Sequence, residues 1–308
     1  MGHRALLASM LAIRAFEDAL AAHSDAGFQL YSSGEEAVAV GVCAALGPHD
    51  QLLSSGRSIG PALARGLDRG AVMAELLGRA TGPCKGKGGR GHLSQPDAGF
   101  FGAHAVVGGN LTIAAGVALA MWMRRTGGIV ACIFGDGACG SGALHETLNI
   151  AALWKLPLLL VCDDNGWSIS TPREAALAAR SPADLAAPFG IRAASVDGMD
   201  VLAVRDAATA LAAHVRGGAG PAFLACDAER FSSHSTATRE TRSRETMDAA
   251  RARCPIRRLA TSMRDEGTLD DEALGALERD AASAAANALR FAEASPPTDV
   301  DEIRRDVD

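Results

Sequence analysis

The stretch GIVACIFGDGACGSGALHETLN, Gly128 to Asn149, decides the fold. Ile129–Phe134 is an uninterrupted apolar run, which predicts a buried strand, and Gly142–Trp154 predicts a helix. A strand, a glycine-rich turn and a helix together form a ready anion site, with free N–H groups and the helix dipole aimed at a phosphate. Gly135, Gly137 and Gly140 also spell G-x-G-x-x-G, the dinucleotide fingerprint. Asp136, between the first two glycines, argues against that reading, because its carboxylate would face the pyrophosphate and repel it. A divalent cation between them reverses the sign. Mg²⁺ takes one or two protein oxygens together with phosphate oxygens and water. The stretch therefore predicts a diphosphate carried on Mg²⁺.

Downstream, Leu158–Cys162 predicts a second strand, followed by Asp163-Asp164-Asn165-Gly166. Asn165 offers a neutral amide oxygen as a second metal ligand, and the backbone carbonyl of Trp167 a third. Asp163 or Asp164 also fits the acid that holds a ribose in a dinucleotide site, although the spacing from Gly135 is longer than the usual ~20 residues. Ala193–Val196 is a weaker strand, Val201–Arg216 a helix and Ala222–Cys226 a further strand. Apolar strands alternating with helices imply an α/β fold with a parallel sheet covered on both faces. Ligands then sit at the strand C-termini, here Gly135, Asp163 and Asp227.

Before this core lie an amphipathic N-terminal helix, a turn-rich stretch (Gly27 to Gly34) and a glycine-rich loop (Thr81 to Gly102). After it come an Arg-rich segment (Glu229 to Arg253) and a long helix, Glu272 to Ala294. Residues 1–250 are expected to form the diphosphate-holding domain and 251–308 a helical C-terminal extension, whose tail after Pro297 is acidic and expected to be loose. The 308 residues are 48% hydrophobic, ample for a large core, and the net charge of −6 points away from nucleic acid and anionic membranes. Seven scattered Cys without a C-x-x-C pair suggest a reducing compartment. No run is long enough to span a membrane and the first helix is not a signal peptide, so a cytoplasmic location is expected.

GDGACGSGALHETLNIAALWKLPLLLVCDDN resembles the thiamin diphosphate motif that opens with GDG and closes with NN. LNIAALWKLP narrows the resemblance to the alpha subunit of the decarboxylating first component of 2-oxo acid dehydrogenase complexes, of the pyruvate, branched-chain and acetoin types. RAFEDAL (14–20), SGEEAVAVG (33–41), KGKGGRGHL (85–93), VVGGNLTIAAGVALA (106–120), VDGMDVLAV (196–204) and GPAFLACDAERFSSHS (220–235) resemble further family segments in the same order. The resemblance covers roughly residues 10 to 297 and implies the thiamin-diphosphate-binding fold, with thiamin diphosphate and Mg²⁺ as cofactors. Carried over, it implies that Asp136, the Asn165 side chain and the Trp167 carbonyl bind the metal. Gly137, Ala138 and Arg57 would meet the diphosphate. Ala105 and Val107 would hold the aminopyrimidine and bend the cofactor so that its amine reaches the thiazolium carbon. His234 would sit near diphosphate and substrate. The pyrimidine nitrogen needs a glutamate that two-chain members take from a beta subunit. An alpha2beta2 assembly is therefore expected, with a lipoyl acyltransferase as possible acyl acceptor.

The sequence departs from the family pattern at several points. A Tyr that precedes the phosphate-binding Arg is here Gly56. A His near GFQLYSSGEEA is replaced by Gln29 or Leu30, and Gln29 can hydrogen-bond but cannot shuttle a proton at neutral pH. Arg90-Gly91 replaces Ser-Met and adds positive charge near the substrate entrance. His92 is either structural or a channel lining, whereas His104 and His145 are expected to be structural. The implied reaction is decarboxylation of a pyruvate-like 2-oxo acid with acyl transfer, an oxidoreductase acting on an oxo group. Three alternatives stand beside it: the N-terminal half of a split transketolase, since DDNGWSIS resembles that family's D-x-N-G segment, a specialised paralog transferring an acyl or acyloin group, and a non-catalytic or dinucleotide-binding module.

Overall fold

In a computed structural model, which describes residues 1–306, a six-stranded parallel sheet has the order β2-β1-β3-β4-β8-β7. The strands are β1 (Gln51–Ser55), β2 (Phe100–His104), β3 (Val130–Gly135), β4 (Leu158–Asp164), β7 (Arg192–Asp197) and β8 (Ala222–Asp227), while β5 (Trp167–Ser168) and β6 (Thr171–Pro172) form a separate antiparallel hairpin. The helices are α1 (His3–Ala21), α2 (Glu36–Ala44), α3 (Ile59–Arg65), α4 (Arg69–Leu76), α5 (Gly109–Met123), α6 (Gly142–Trp154), α7 (Arg173–Ala176), α8 (Val201–Arg216), α9 (Arg244–Ala252), α10 (Pro255–Asp265) and α11 (Asp271–Ala294). This is the α/β architecture that the sequence implies.

Strand periodicity divides the core into two layers. Val130, Cys132 and Phe134 of β3 face Leu111, Leu144 and Leu148 of α5 and α6, whereas Ala131 and Ile133 face the side built by α2 and α8. The stripe Val201, Val204, Ala208, Leu211 and Val215 on α8 is buried as its spacing requires. Asp200 caps this helix by accepting from the Leu202 and Ala203 amides. A third apolar cluster joins Leu6, Leu7, Met10 and Ile13 of α1 to Leu259, Ala260 and Met263 of α10.

Three differences from the sequence reading have local causes. β4 runs two residues beyond its apolar segment, because Asp163 and Asp164 continue the ladder opposite Cys226 and Asp227. β1 and β2 are not legible in the sequence, since each is five residues long and β2 lies at the end of a glycine-rich stretch. The acidic segment after Pro297 folds back onto the glycine-rich loop, where Glu302 and Asp306 pair with Lys85 and Lys87.

The turn-rich stretch before α2 is tied down by buried acids. Glu17 of α1 accepts from the Ser32 amide at 2.6 Å and the Ser33 hydroxyl at 3.2 Å. Burial pushes its carboxyl up to about 8, with the Ser32 bonds opposing and Glu36 adding to the push. The fold therefore retains a proton that an unfolded Glu releases near ~4.3, and stability from this group is lost as pH rises through about 8. Urea unfolding of Glu17→Gln between about pH 5 and about pH 9 should show a flatter stability profile than wild type, by a few kcal/mol in order of magnitude. Parallel profiles would contradict this.

Candidate functional site

A cavity of about 260 Å³ opens at the C-terminal ends of the strands. Its lining brings together Arg57, Ala105, Val107, Asp136, Gly137, Ala138, Asn165, Trp167 and His234, which come from five separate parts of the chain. The parallel sheet is the cause. β3 delivers Asp136, β4 delivers Asn165 and the β5 hairpin, β1 delivers Arg57 and β2 delivers Ala105.

Asp136 opens a short 3-10 turn directly after β3 and is 3% exposed. Its Oδ2 has no hydrogen-bond partner. Burial pushes the carboxyl up to about 7, and Asp164 and Glu35 reinforce the shift. Next to it, burial and Glu35 also raise Asp163. A buried carboxylate oxygen without a donor is costly unless a cation meets it. Asp136, Asn165 and Trp167 line the same cavity and could offer a carboxylate, an amide and a carbonyl oxygen, the donor type Mg²⁺ prefers. Among the described residues no three His, Cys, Asp or Glu side chains gather to hold a metal alone.

Glu35 links two of these residues and was not singled out in the sequence. It is 2% exposed. Its Oε1 accepts from Asn165 Nδ2 at 2.7 Å, and its Oε2 lies 2.9 Å from Arg57 Nε. Because a carboxylate only accepts, the Asn165 NH₂ must face Glu35, and the amide oxygen turns the other way. Arg57 also donates to the carbonyls of Tyr31 and His234. Two of its five N–H groups donate these bonds, Nε makes only an ion pair with Glu35, and each terminal nitrogen keeps one further N–H for an anion. The signal was present in SGEEAVAVG: two adjacent acids opening an otherwise apolar helix are out of place unless something cationic is buried beside them.

The His234 segment is held from both sides. Arg242 donates to the carbonyls of Arg230 and Ser232, and Arg230, 2% exposed, donates to those of Ser232 and Ile169. Burial, reinforced by Arg57 and Arg230, pushes His234 down to about 4, so its ring is neutral near neutral pH. Two expected residues lie elsewhere. Gln29 is buried with its side chain on the Ala26 carbonyl, and its backbone pairs with Thr236, so it supports the His234 segment while Leu30 lines the cavity. His92 is exposed beside Cys84 and the two lysines. His104, expected to be structural, lines the cavity and meets the His92 ring edge-on at 5.6 Å.

The chain matches the family described as dehydrogenase E1 component over residues 8–301. It is 44% identical over 229 residues to the alpha subunit of acetoin:2,6-dichlorophenolindophenol oxidoreductase of Bacillus subtilis, covering 73% of this chain and 69% of that one. It is 35% identical over 305 residues to the pyruvate dehydrogenase E1 component subunit alpha of Rhizobium meliloti, covering 97% of this chain and 87% of the relative. The corresponding subunit of Zymomonas mobilis is 40% identical over 274 residues, 88% of this chain and 77% of its own length.

The glycines of the opening motif have different standings. A Cβ on Gly137 would lie 2.6 Å from Ser168 Oγ and 3.1 Å from its Cβ, so an alanine there would force Ser168 of the β5 hairpin to shift. A Cβ on Gly140 would meet only the Ala176 carbonyl, at an ordinary 3.6 Å. Gly137→Ala should cost about 1–3 kcal/mol in urea unfolding, and Gly140→Ala less than about 0.5 kcal/mol. Equal costs would refute this account of the turn.

Proposed function

Because the chain belongs to the dehydrogenase E1 component family, we propose that it is the alpha subunit of a thiamin diphosphate- and Mg²⁺-dependent enzyme that decarboxylates a 2-oxo acid and passes the acyl group to lipoamide or another acceptor. The observation that carries the cofactor reading is the buried, unpartnered Asp136 Oδ2 at the end of β3.

In this reading Asp136, Asn165 and the Trp167 carbonyl hold Mg²⁺. The amides of Gly137 and Ala138 and the two free N–H groups of Arg57 bind the diphosphate. Glu35 orients Asn165 and Arg57 through the bonds described above. Val107, with backbone groups of Ala105 and Val107, shapes the pyrimidine side. When bound, thiamin diphosphate supplies the electron sink for loss of CO₂. His234, neutral near pH 7, offers an acceptor or donor nitrogen at the cavity wall. The transketolase reading is not favoured by the relatives found, which are pyruvate and acetoin enzymes.

A beta subunit is the proposed partner, in an alpha2beta2 assembly, supplying the glutamate for the pyrimidine ring. Val106 and Val107 support this, being 64% and 63% exposed at the mouth of the site. Large apolar side chains exposed beside a cofactor cavity suit a surface that another chain covers. An acyl-accepting lipoyl protein would complete the sequence of reactions.

Calorimetric titration of the purified chain should show thiamin diphosphate binding that requires Mg²⁺. Asp136→Ala should weaken it by about 100-fold, roughly 2.7 kcal/mol. Binding of NAD without metal would refute the reading. Decarboxylase turnover should need the beta chain, and full turnover by the alpha chain alone would refute the partner assignment.

A further inference from the structure

Arg90 stands in the wall of the same cavity, in the glycine-rich loop Thr81 to Gly102. Its guanidinium carbon lies 3.8 Å from the centroid of the Phe28 ring, a stacked cation–π contact. The loop is fixed there because Ser58 Oγ donates to the Arg90 carbonyl at 2.6 Å. Among the described residues no acid pairs with Arg90, and its Nε is buried without a hydrogen-bond partner. Of the other cavity arginines, Arg57 is ion-paired with Glu35, while Arg230 donates to the Ser232 and Ile169 carbonyls and keeps a buried, unpartnered Nη1. Among the described residues Arg90, like Arg230, has no acid within ion-pair distance, but only Arg90 stands on the glycine-rich loop and donates no side-chain hydrogen bond to the chain.

Its position separates it from the diphosphate end. A Cβ on the neighbouring Gly91 would lie 3.2 Å from the Ala105 Cβ, so this part of the loop sits on the Ala105–Val107 side and not on the Asp136 turn. Phe28, Leu30 and Val107 give that side apolar walls. We propose that Arg90 binds a second carboxylate on the substrate, remote from the 2-oxo group, so that the enzyme selects 2-oxo dicarboxylic acids. The inference rests on the decarboxylase reading above and names its substrate class.

The chemistry decides which carboxylate Arg90 holds. A carboxylate that leaves as CO₂ loses its charge in the transition state. An arginine gripping it would stabilise the ground state more than the transition state and slow the reaction. A distal carboxylate keeps its charge throughout. Holding it lowers KM without opposing the chemical step, and the planar fork of arginine suits two carboxylate oxygens. The aliphatic chain between the two ends would lie along Leu30 and Phe28.

The test is a comparison of 2-oxoglutarate with pyruvate in the assembled alpha–beta enzyme, loaded with thiamin diphosphate and Mg²⁺. The wild type should prefer 2-oxoglutarate by kcat/KM. In Arg90→Gln the ratio of the two kcat/KM values should fall by about 10- to 100-fold, mostly through KM for 2-oxoglutarate, and Arg90→Lys should recover part of it. Calorimetric affinity for thiamin diphosphate, measured on the same variants, should stay close to wild type. A wild-type preference for pyruvate, or an equal loss for both substrates in Arg90→Gln, would overturn the proposal. So would weakened cofactor binding by Arg90→Gln, which would assign Arg90 to the diphosphate. Failure of the wild-type chain to bind thiamin diphosphate would refute the decarboxylase reading itself, and that result is visible before any substrate is added.

Discussion

The rest of the site depends on one buried carboxylate. Asp136 is fixed at the end of a central strand, with Glu35, Asp163 and Asp164 close enough to raise or share its burden of negative charge. Among the described residues the ion pairs that answer that charge are Arg57 beside Glu35 and Arg173 on Asp164. Concentrating acids in a low-dielectric strand end costs stability unless a cation is part of the design. A divalent ion that also carries a diphosphate turns this cost into binding specificity, and its binding would stabilise the fold by mass action.

The architecture makes that concentration of charge possible. Parallel pairing places the ends of β3, β4 and β8 side by side, with Gly135 opposite Asp163 and Asp163 opposite Cys226. The apolar layers on both faces hold the strands rigidly, so the polar ends have no freedom to spread apart. From the other direction, Glu17 and Glu36 fix the segment before α2 by accepting from the Ser32 and Gly34 amides. This places Glu35 under the site, where its two oxygens reach Arg57 and Asn165. The site is thus assembled by hydrogen bonds from buried acids on one side and by sheet register on the other.

Much of this was legible in the sequence, and the limits are physical. The helices Gly142–Trp154 and Val201–Arg216 appear at the boundaries their patterns indicate. β1 and β2 did not, because five-residue strands with polar or glycine positions carry too little periodicity. Asp136 announced itself because a carboxylate conflicts with the glycine motif around it. Glu35, Leu30 and His104 did not, because their roles depend on which way a side chain turns. Gln29 and Leu30 are adjacent, yet one turns into the core and the other into the cavity, and local sequence contains nothing that decides between them. The same limit applies to the neighbouring histidines His92 and His104.

The central claim is that Asp136 and Asn165 share one divalent cation with a diphosphate. Crystals of the chain grown with Mn²⁺ and thiamin diphosphate, with anomalous differences measured for manganese, test it most directly. The account predicts one strong peak within coordination distance of Asp136 Oδ2, the Asn165 amide oxygen and the Trp167 carbonyl, contacting the diphosphate. A cofactor bound with manganese elsewhere, or with Asp136 outside the coordination sphere, would contradict it.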